Sequence, residues 1–281
     1  MSFDDNLSQP FEAHESTPFA TSADGCAACS SRSLCWSAGI AADETRWYDN
    51  VKFTRRRVKR GDVLYHMGDH FESIFAVRSG FFKTCILLDD GRDHVTSFRM
   101  NGEWLGLDGI AAQTHACDAI ALEDSEVCIM SYVRLMHLAN KVQSLGMELN
   151  RMLSQEIVRE QQIMALLGTM QADERVVTFL LNLSTRFQER HYSATRFVLR
   201  MTREEIGSYL GLKLETVSRV FSRLQAAKLI RIEHSKEITL LDIDKLKNAS
   251  SRQFAPIEPV KNISVPISFR RQPMGLSAAH A

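Results

Sequence analysis

The segment from Thr202 to Phe221 constrains the fold of this chain more than any other stretch. Thr202 and Glu205 have the spacing of a capping box, which predicts that a helix begins here. Gly211 suits the left-handed position of a tight turn, and the small Gly207 allows two helices to approach closely. The segment therefore predicts a helix-turn-helix, and an ordinary amphipathic helix pair is the alternative.

The second predicted helix carries polar residues that suit the reading of base edges in a major groove. Glu215, Ser218 and Arg219 lie three and four residues apart and so share one helix face. A solvated polar face is the alternative, but residues 196–236 carry nine Lys or Arg against four Asp or Glu, while the whole chain has net charge zero. Basic residues that are candidate phosphate contacts are Arg200, Arg203, Lys213, Arg223 and Lys228.

Residues from about 51 to 132 contain short apolar or alternating runs separated by turn signals. Short strands at this spacing predict an antiparallel β-barrel or jelly roll. The predicted strands are Val63–Tyr65, Ser73–Val77, Phe81–Leu88, His94–Phe98, Ala119–Leu122 and Val127–Met130.

Residues 145–171 contain no proline and predict one long helix. A set of positions alternates spacings of three and four, which is typical of a heptad seam between two helices. A helix packed only on its own domain is the alternative. The positions of this heptad seam are Asn150, Leu153, Ile157, Glu160, Met164, Leu167 and Gln171. In a parallel pair of helices Glu160 would face Glu160 of the partner subunit. The repulsion between the two carboxylates would weaken the dimer unless Glu160 reaches solvent or pairs with Arg159 of the partner subunit.

The chain contains no apolar run long enough to span a bilayer, and its polar start does not resemble a signal peptide. We therefore expect a cytoplasmic location, where thiols stay reduced. A β-hairpin is predicted from residues 229–232 and 237–240. The expected parts are a flexible N-terminus (1–24), a sensor domain (25–144), the long helix (145–171), a helical domain with this hairpin (172–248) and a flexible tail (249–281).

Three cysteines form the run Cys26-Ala-Ala-Cys29-Ser-Ser-Arg-Ser-Leu-Cys35, and Cys117 lies far downstream. Four thiolates hold iron–sulfur clusters, and four thiolates also hold structural zinc, so spacing alone leaves both metals open. Cys85 and Cys128 lie in apolar runs and suit small core residues instead.

In its order of parts the chain resembles the CRP/FNR family of bacterial transcription regulators over about residues 26–248. The resemblance implies an α+β fold with an N-terminal antiparallel β-roll (a jelly roll like that of cyclic-nucleotide-binding domains), a long dimerisation helix and a C-terminal winged helix-turn-helix. The stretch from Met201 to Arg219 is similar to the FNR branch in particular, as is the cysteine pattern.

The resemblance to the FNR branch implies a regulator that responds to oxygen. It implies an oxygen-labile [4Fe–4S] cluster on Cys26, Cys29, Cys35 and Cys117. It also implies a homodimer in which Glu215, Ser218 and Arg219 read a palindromic DNA site with TTGAT-type half-sites. RNA polymerase is a further implied partner, with the loop Asp90-Gly91-Arg92 as the candidate contact.

The sequence departs from the family pattern at Lys213, where FNR-like proteins usually have Ser or Thr, so a helix N-cap is lost. The stretch Thr114–Asp118 lacks the Arg-Ser pair with which the CRP branch binds a cyclic phosphate, and we expect no cyclic nucleotide. A zinc-responsive or thiol-responsive regulator with the same DNA-binding part is the alternative. A cupin-like enzyme is not expected, because the histidines of the predicted roll form no compact metal motif.

Overall fold

The computed structural model describes residue 35, residues 54–234 and residues 236–249. The first part is a roll of two four-stranded antiparallel sheets. Its strands are β1 (Thr54–Val58), β2 (Val63–Tyr65), β3 (Ser73–Ser79), β4 (Phe81–Leu87), β5 (Asp93–Met100), β6 (Trp104–Leu105), β7 (Asp118–Ala121) and β8 (Ser125–Ser131). One sheet has the order β1-β8-β3-β6 and the other has the order β2-β7-β4-β5. The predicted β-roll is confirmed.

Two strands of the roll were not predicted. Strand β1 contains three consecutive arginines, Arg55, Arg56 and Arg57, and so has no alternation of apolar and polar residues. Among the described residues it lies at the edge of its sheet, pairs only with β8, and fully buries only Val58. Charged residues are common on edge strands. Strand β6 has two residues and is too short to produce a pattern.

Six helices follow the roll or lie within the second part of the described chain. They are α1 (Tyr132–Ala139), α2 (Gln143–Thr169), α3 (Ala172–Glu189), α4 (Arg203–Leu210), α5 (Leu214–Ala226) and α6 (Ile243–Ala249). The long predicted helix is therefore present as α2, displaced two residues toward the N-terminus. Helix α6 was not predicted, and it packs against α3.

The second part also contains a three-stranded antiparallel sheet beside the helices α4 and α5. Its strands are β9 (Arg196–Val198), β10 (Ile230–Glu233) and β11 (Glu237–Leu240), in the order β10-β11-β9. The predicted hairpin corresponds to β10 and β11 and is confirmed. Strand β9 was missed because only Phe197 of its three residues is buried. These strands and helices together form the expected winged helix-turn-helix.

One side of the roll shares an apolar cluster with the second part, while the interior of the roll forms a cluster of its own. Side chains of β5, including Val95, Phe98 and Met100, belong to the same buried cluster as side chains of α3, α4 and α5. The ring of Phe98 lies 5.2 Å from that of Tyr209 on α4 and 6.0 Å from that of Phe179 on α3, measured between ring centres. The two parts are therefore packed as closely as elements within one domain.

A buried ion cluster accompanies this core at the turn between β5 and β6. The carboxylate of Glu103 accepts hydrogen bonds from Arg186 at 2.6 and 3.0 Å and from Arg190 at 2.8 Å, both on or just after α3. The same carboxylate accepts the backbone N–H of Met100 at 3.2 Å, and Arg186 also donates to the carbonyl of Phe98. These charges are almost completely removed from solvent. The cluster thus bonds the roll directly to α3.

We predict that Glu103→Gln lowers the free energy of unfolding by about 3 kcal/mol, because two buried guanidinium groups lose their carboxylate. Burial favours the protonated acid, but the charges of Arg186, Arg159 and Arg190 outweigh it and hold the pKa of Glu103 well below its usual range. A depressed native pKa contributes stability above the unfolded value of about 4.3, and this contribution is lost as pH falls below it. Urea unfolding should therefore show parent and variant converging in acid.

Glu126→Gln is the matched control for this prediction. Glu126 pairs with Arg78 at 2.5 Å, but both side chains remain about a quarter exposed, at 21% and 25%. A partly exposed pair is worth roughly 1 kcal/mol or less, so this variant should unfold almost like the parent. A stability gap for Glu103→Gln that stays constant from neutral pH into acid would contradict the role given to the carboxylate.

Candidate nucleic-acid interface

The capping box predicted from the sequence is formed at the start of α4. The hydroxyl of Thr202 accepts the backbone N–H of Glu205 at 3.1 Å, and the carboxylate of Glu205 accepts the backbone N–H of Thr202 at 2.7 Å. Helix α4 ends at Gly211, whose φ of 62° lies in the left-handed region that favours glycine. The start of α4 is therefore specified by a capping box and its end by a glycine.

Close packing between α4 and the turn depends on Gly207. A Cβ atom at this position would lie 2.6 Å from the carbonyl oxygen of Leu212, closer than atoms can approach. The helices share a core of fully buried side chains. These are Ile206, Leu210, Val217 and Val220. The angle between α4 and α5 is thus fixed by a backbone contact as well as by apolar packing.

The predicted reading face lies on the N-terminal half of α5. Glu215 and Arg219 are exposed, and Ser218 between them is half-buried. Leu214, the first residue of α5, is also exposed although it is large and apolar. Sequence reasoning missed it, because its signal is only an apolar residue outside the core spacing. An apolar side chain beside a guanidinium and a carboxylate can contact a thymine methyl group, so the surface offers three kinds of base contact.

The N-terminus of α5 is open to an anion. Lys213 precedes the helix, and its side chain makes no capping hydrogen bond, in agreement with the predicted loss of the cap. The first N–H groups of a helix and its dipole favour negative charge. The exposed ammonium group of Lys213 adds to this effect, so the site suits a backbone phosphate.

Three of the predicted phosphate contacts already have partners within the chain. Arg203 lies over the ring of Phe221 at 4.5 Å, and burial lowers the pKa of this guanidinium. Arg223 forms an ion pair with Asp173 on α3. Arg200 forms an ion pair at 2.8 Å with Glu123, which belongs to the roll. Arg200 and Arg223 therefore have to exchange a carboxylate for a phosphate, whereas Lys213 and Lys228 are exposed.

Two of the four predicted thiol ligands lie in the described part of the chain, and Cys26 and Cys29 lie outside it. Cys117 is 8% exposed and packs in the apolar interior of the roll. Cys35 packs against a different apolar cluster, formed by the roll, α1 and the start of α2. The described residues contain no group of three His, Cys, Asp or Glu side chains arranged for a metal.

The buried thiols are neutral in this arrangement. Burial, with a contribution from the carboxylate of Asp108, raises the pKa of Cys117 to about 12, although a hydrogen bond with Tyr65 acts in the opposite direction. Burial also raises the pKa of Cys85 to about 11. Ligation of a metal by Cys117 therefore requires loss of its proton. A soft sulfur donor shielded from water fits an iron–sulfur site in its chemistry.

Six of the seven predicted seam positions lie on α2, and the seventh, Gln171, is instead the N-cap residue of α3, because α2 ends at Thr169. Leu153, Ile157 and Met164 are 37%, 59% and 64% exposed, although they are apolar. Asn150 and Glu160 are exposed too, while Leu167 is half-buried. The opposite face of α2 packs on the chain itself through Leu145, Met152 and Leu166. Helix α2 therefore has two apolar faces, and the described residues cover only one of them.

Glu160 belongs to a charged group that extends from the seam into the roll. Burial and the neighbouring Glu156 raise the pKa of Glu160. Glu156 is bonded by both oxygens to Arg99 of β5, with one N–O distance of 2.8 Å. Glu160 thus lies beside an acid that is already paired with Arg99, and its neighbourhood disfavours its own charge.

The loop between β4 and β5 is closed by its own residues. Arg92 donates from its side chain to the carboxylate of Asp90 at 2.5 and 2.8 Å, and from its backbone N–H at 3.1 Å. Gly91 has a φ of 79°, which the turn requires. All three residues are exposed, and Leu87 beside them is exposed as well. The loop therefore presents a hydrogen-bonded turn to solvent.

The stretch from Thr114 to Asp118 is occupied by internal contacts. His115 is buried and stacks on Tyr65 with 3.8 Å between ring centres. Asp118 accepts the backbone N–H of Met67 at 2.6 Å. An acidic side chain here disfavours a phosphate. That the protein binds no cyclic nucleotide stays a prediction. Among the residues described, no helix is long and apolar enough to cross a membrane.

Comparisons with known proteins agree with this architecture. A family model described as a Crp-like helix-turn-helix domain matches residues 174–249, and one described as a cyclic nucleotide-binding domain matches residues 55–142. The transcriptional activator protein Anr of Pseudomonas protegens is 43% identical over 77% of this chain and 88% of its own length. The anaerobic regulatory protein of Haemophilus influenzae is 36% identical over 84% of this chain and 91% of its own length.

A solved structure of a related protein has the same fold. The structure of FixK2 from Bradyrhizobium japonicum superposes with a TM-score of 0.65 at 30% identity. The match covers 70% of this chain and 96% of FixK2. The similarity therefore includes the roll, the long helix and the helix-turn-helix in one chain.

Proposed function

The chain belongs to the CRP/FNR family of transcription regulators, and on this premise we propose that it regulates transcription in response to oxygen. The observation that carries the proposal is the exposed face of Glu215, Ser218 and Arg219 on a fully formed helix-turn-helix. The similarity of the chain to an anaerobic regulatory protein supports oxygen as the signal. The proposed active species is a homodimer.

In the proposed complex each α5 helix enters the major groove of one half of a palindromic site with TTGAT-type half-sites. Arg219 would bond guanine as a fork, and Glu215 would accept from cytosine. Lys213 and the N-terminus of α5 would hold a backbone phosphate. These roles divide the contacts into those that choose the sequence and those that set the affinity.

We predict different losses for Arg219→Ala and Lys213→Ala. Removing Arg219 should cost about 1–3 kcal/mol of binding for each half-site and relax the preference for one base pair in each. Removing Lys213 should weaken binding to all sequences alike and reduce the slope of log affinity against log salt by about 2, since each subunit loses one phosphate contact. Fluorescence anisotropy with base-substituted sites at several salt concentrations measures both. Equal effects of the two variants on sequence preference would contradict this division.

We further propose that Cys26, Cys29, Cys35 and Cys117 hold a [4Fe–4S] cluster. Support comes from the buried sulfur of Cys117 and from the packing of Cys35 against the base of α2. When bound, such a cluster supplies a centre that oxidants destroy. The apolar cluster beside Cys35 includes Leu145 and Met152 of α2, so a change in the position of Cys35 acts directly on the first turns of this helix.

We predict that Cys117→Ser, purified without oxygen, loses bound iron and sulfide and binds the palindromic site poorly. Cys85→Ser is the matched control, since Cys85 is also buried in the roll but lies outside the proposed ligand set. The measurements are the visible spectrum, the metal and sulfide content, and DNA binding before and after admission of air. Bound zinc without sulfide in the parent would favour the zinc-responsive alternative instead.

The heptad seam is proposed as the dimer interface. Exposed Leu153, Ile157 and Met164 provide apolar surface that a second α2 would cover. In a parallel pair the two Glu160 carboxylates face each other, and their repulsion opposes the contact. Dimerisation is then weak enough that a change near Cys35, beside the N-terminal turns of the same helix, determines whether the dimer forms. A bias of a few kcal/mol is sufficient for such a shift.

We predict that Glu160→Ala forms dimers and binds DNA in air, without an intact cluster, because the repulsion across the seam is removed. Gln162→Ala is the matched control, since Gln162 lies on the same helix at the heptad position farthest from the seam. Sedimentation equilibrium of cluster-free protein in air measures the change. A Glu160→Ala protein as monomeric as the parent would refute the seam mechanism.

RNA polymerase is the proposed partner on the promoter. The loop Asp90-Gly91-Arg92 supports this role because it is exposed and its turn is closed by hydrogen bonds between its own residues. A turn that is already formed loses less conformational freedom when a partner binds.

A further inference from the structure

The first helix of the helix-turn-helix, α4, lies against strand β5 of the roll. Strand β5 is at the edge of its sheet, and no strand of the described residues pairs with its outer backbone groups. The hydroxyl of Ser208 on α4 accepts the backbone N–H of Val95 at 2.9 Å and donates to the carbonyl of Asp93 at 3.4 Å. A helix side chain thus takes the place that a strand would fill.

Glu205 makes a second contact across the same boundary. One carboxylate oxygen accepts the backbone N–H of Thr202 in the capping box at 2.7 Å, and the other accepts Nζ of Lys83 on β4 at 2.9 Å. The side chains of Lys83 and Glu205 are 16% and 17% exposed. An ion pair this far from water is screened less than a surface pair. Glu205, the third residue of α4, therefore takes part in the capping box and also bonds the helix to the roll.

These contacts determine where α5 points. Helix α4 is fixed to α5 through the close approach at Gly207, and α4 is fixed to the roll through Ser208 and Glu205. The reading face of α5 nevertheless stays exposed. The contact with the roll therefore orients this face without covering it.

We propose that Lys83, Glu205 and Ser208 are positioning residues for DNA binding. They hold each helix-turn-helix at one angle on its roll, and so they set the distance between the two α5 helices of a dimer. The inference rests on the proposed function, since it needs a homodimer on a two-fold site. Half-sites must lie about 34–36 Å apart, so a fixed angle selects one spacing and a mobile one accepts several.

The test uses the full chain purified without oxygen, with the variants Lys83→Met and Ser208→Ala. Affinity is measured for a palindrome of TTGAT-type half-sites and for the same palindrome with one base pair added to or removed from the centre. The parent should prefer the first DNA by about tenfold or more. Each variant should bind that DNA about fivefold more weakly, because its DNA-binding helices are no longer held at the correct angle before binding. Each variant should bind the altered DNAs almost as the parent does.

Arg78→Met is the matched control, since Arg78 forms an ion pair of similar burial with Glu126 inside the roll. It should keep the spacing preference of the parent. Glu205→Gln retains an oxygen for the capping box but removes the charge that Lys83 requires. Its effect should match that of Lys83→Met, and the double variant should show no additional loss, as expected for a single interaction.

An equal loss on all three DNAs would overturn the proposal, because it would mean that these residues only stabilise the fold. Parent-like affinity and spacing preference in Lys83→Met and Ser208→Ala would overturn it too. If the parent binds no palindrome at all, the proposed function fails, and this inference fails with it. If the parent binds one spacing and the variants keep it, only the inference fails.

Discussion

The buried carboxylate of Glu103 connects the two halves of the described structure. Its partners Arg186 and Arg190 come from α3, and its backbone belongs to the turn that follows β5. Because such a group is stable only when every charge is paired, the roll and the DNA-binding part can separate only at a high energetic cost. The aromatic contacts of Phe98 with Phe179 and Tyr209 add apolar packing at the same boundary. The molecule is therefore built for transmission of small displacements between its parts.

Strand β5 is the element through which this transmission would pass. Arg99 bonds Glu156 of α2, Val95 bonds Ser208 of α4, and the turn after β5 carries Glu103. One strand thus contacts the helix of the proposed dimer interface, the helix-turn-helix and α3. Packed elements shift between discrete arrangements more readily than they deform continuously, so a movement of α2 against β5 would be felt at α4.

Features that depend on neighbours in the sequence were predictable. The capping box at Thr202, the glycine turn at Gly211 and the hairpin of β10 and β11 each follow from a few adjacent residues. Contacts between distant residues were not. Lys83 and Glu205 are 122 positions apart, and neither has a local signal that identifies its partner. The same holds for Arg200 and Arg223, which looked like free phosphate contacts in the sequence and are paired with carboxylates in the fold. For the cysteines, only Cys35 and Cys117 lie in the described residues, so the ligand set stays a prediction.

The arginines of β1 have a consequence for the behaviour of the protein in a crowded cell. An edge strand offers unpaired backbone groups to any other extended chain, and such pairing is a route to aggregation. Of the three, Arg57 is exposed, and an exposed charge on an edge strand disfavours pairing with the edge of a second copy. The strand that the sequence pattern concealed thereby protects a molecule whose proposed partner surface lies elsewhere, on α2. Pairing of edge strands could continue from copy to copy without limit, whereas association through α2 closes as a dimer.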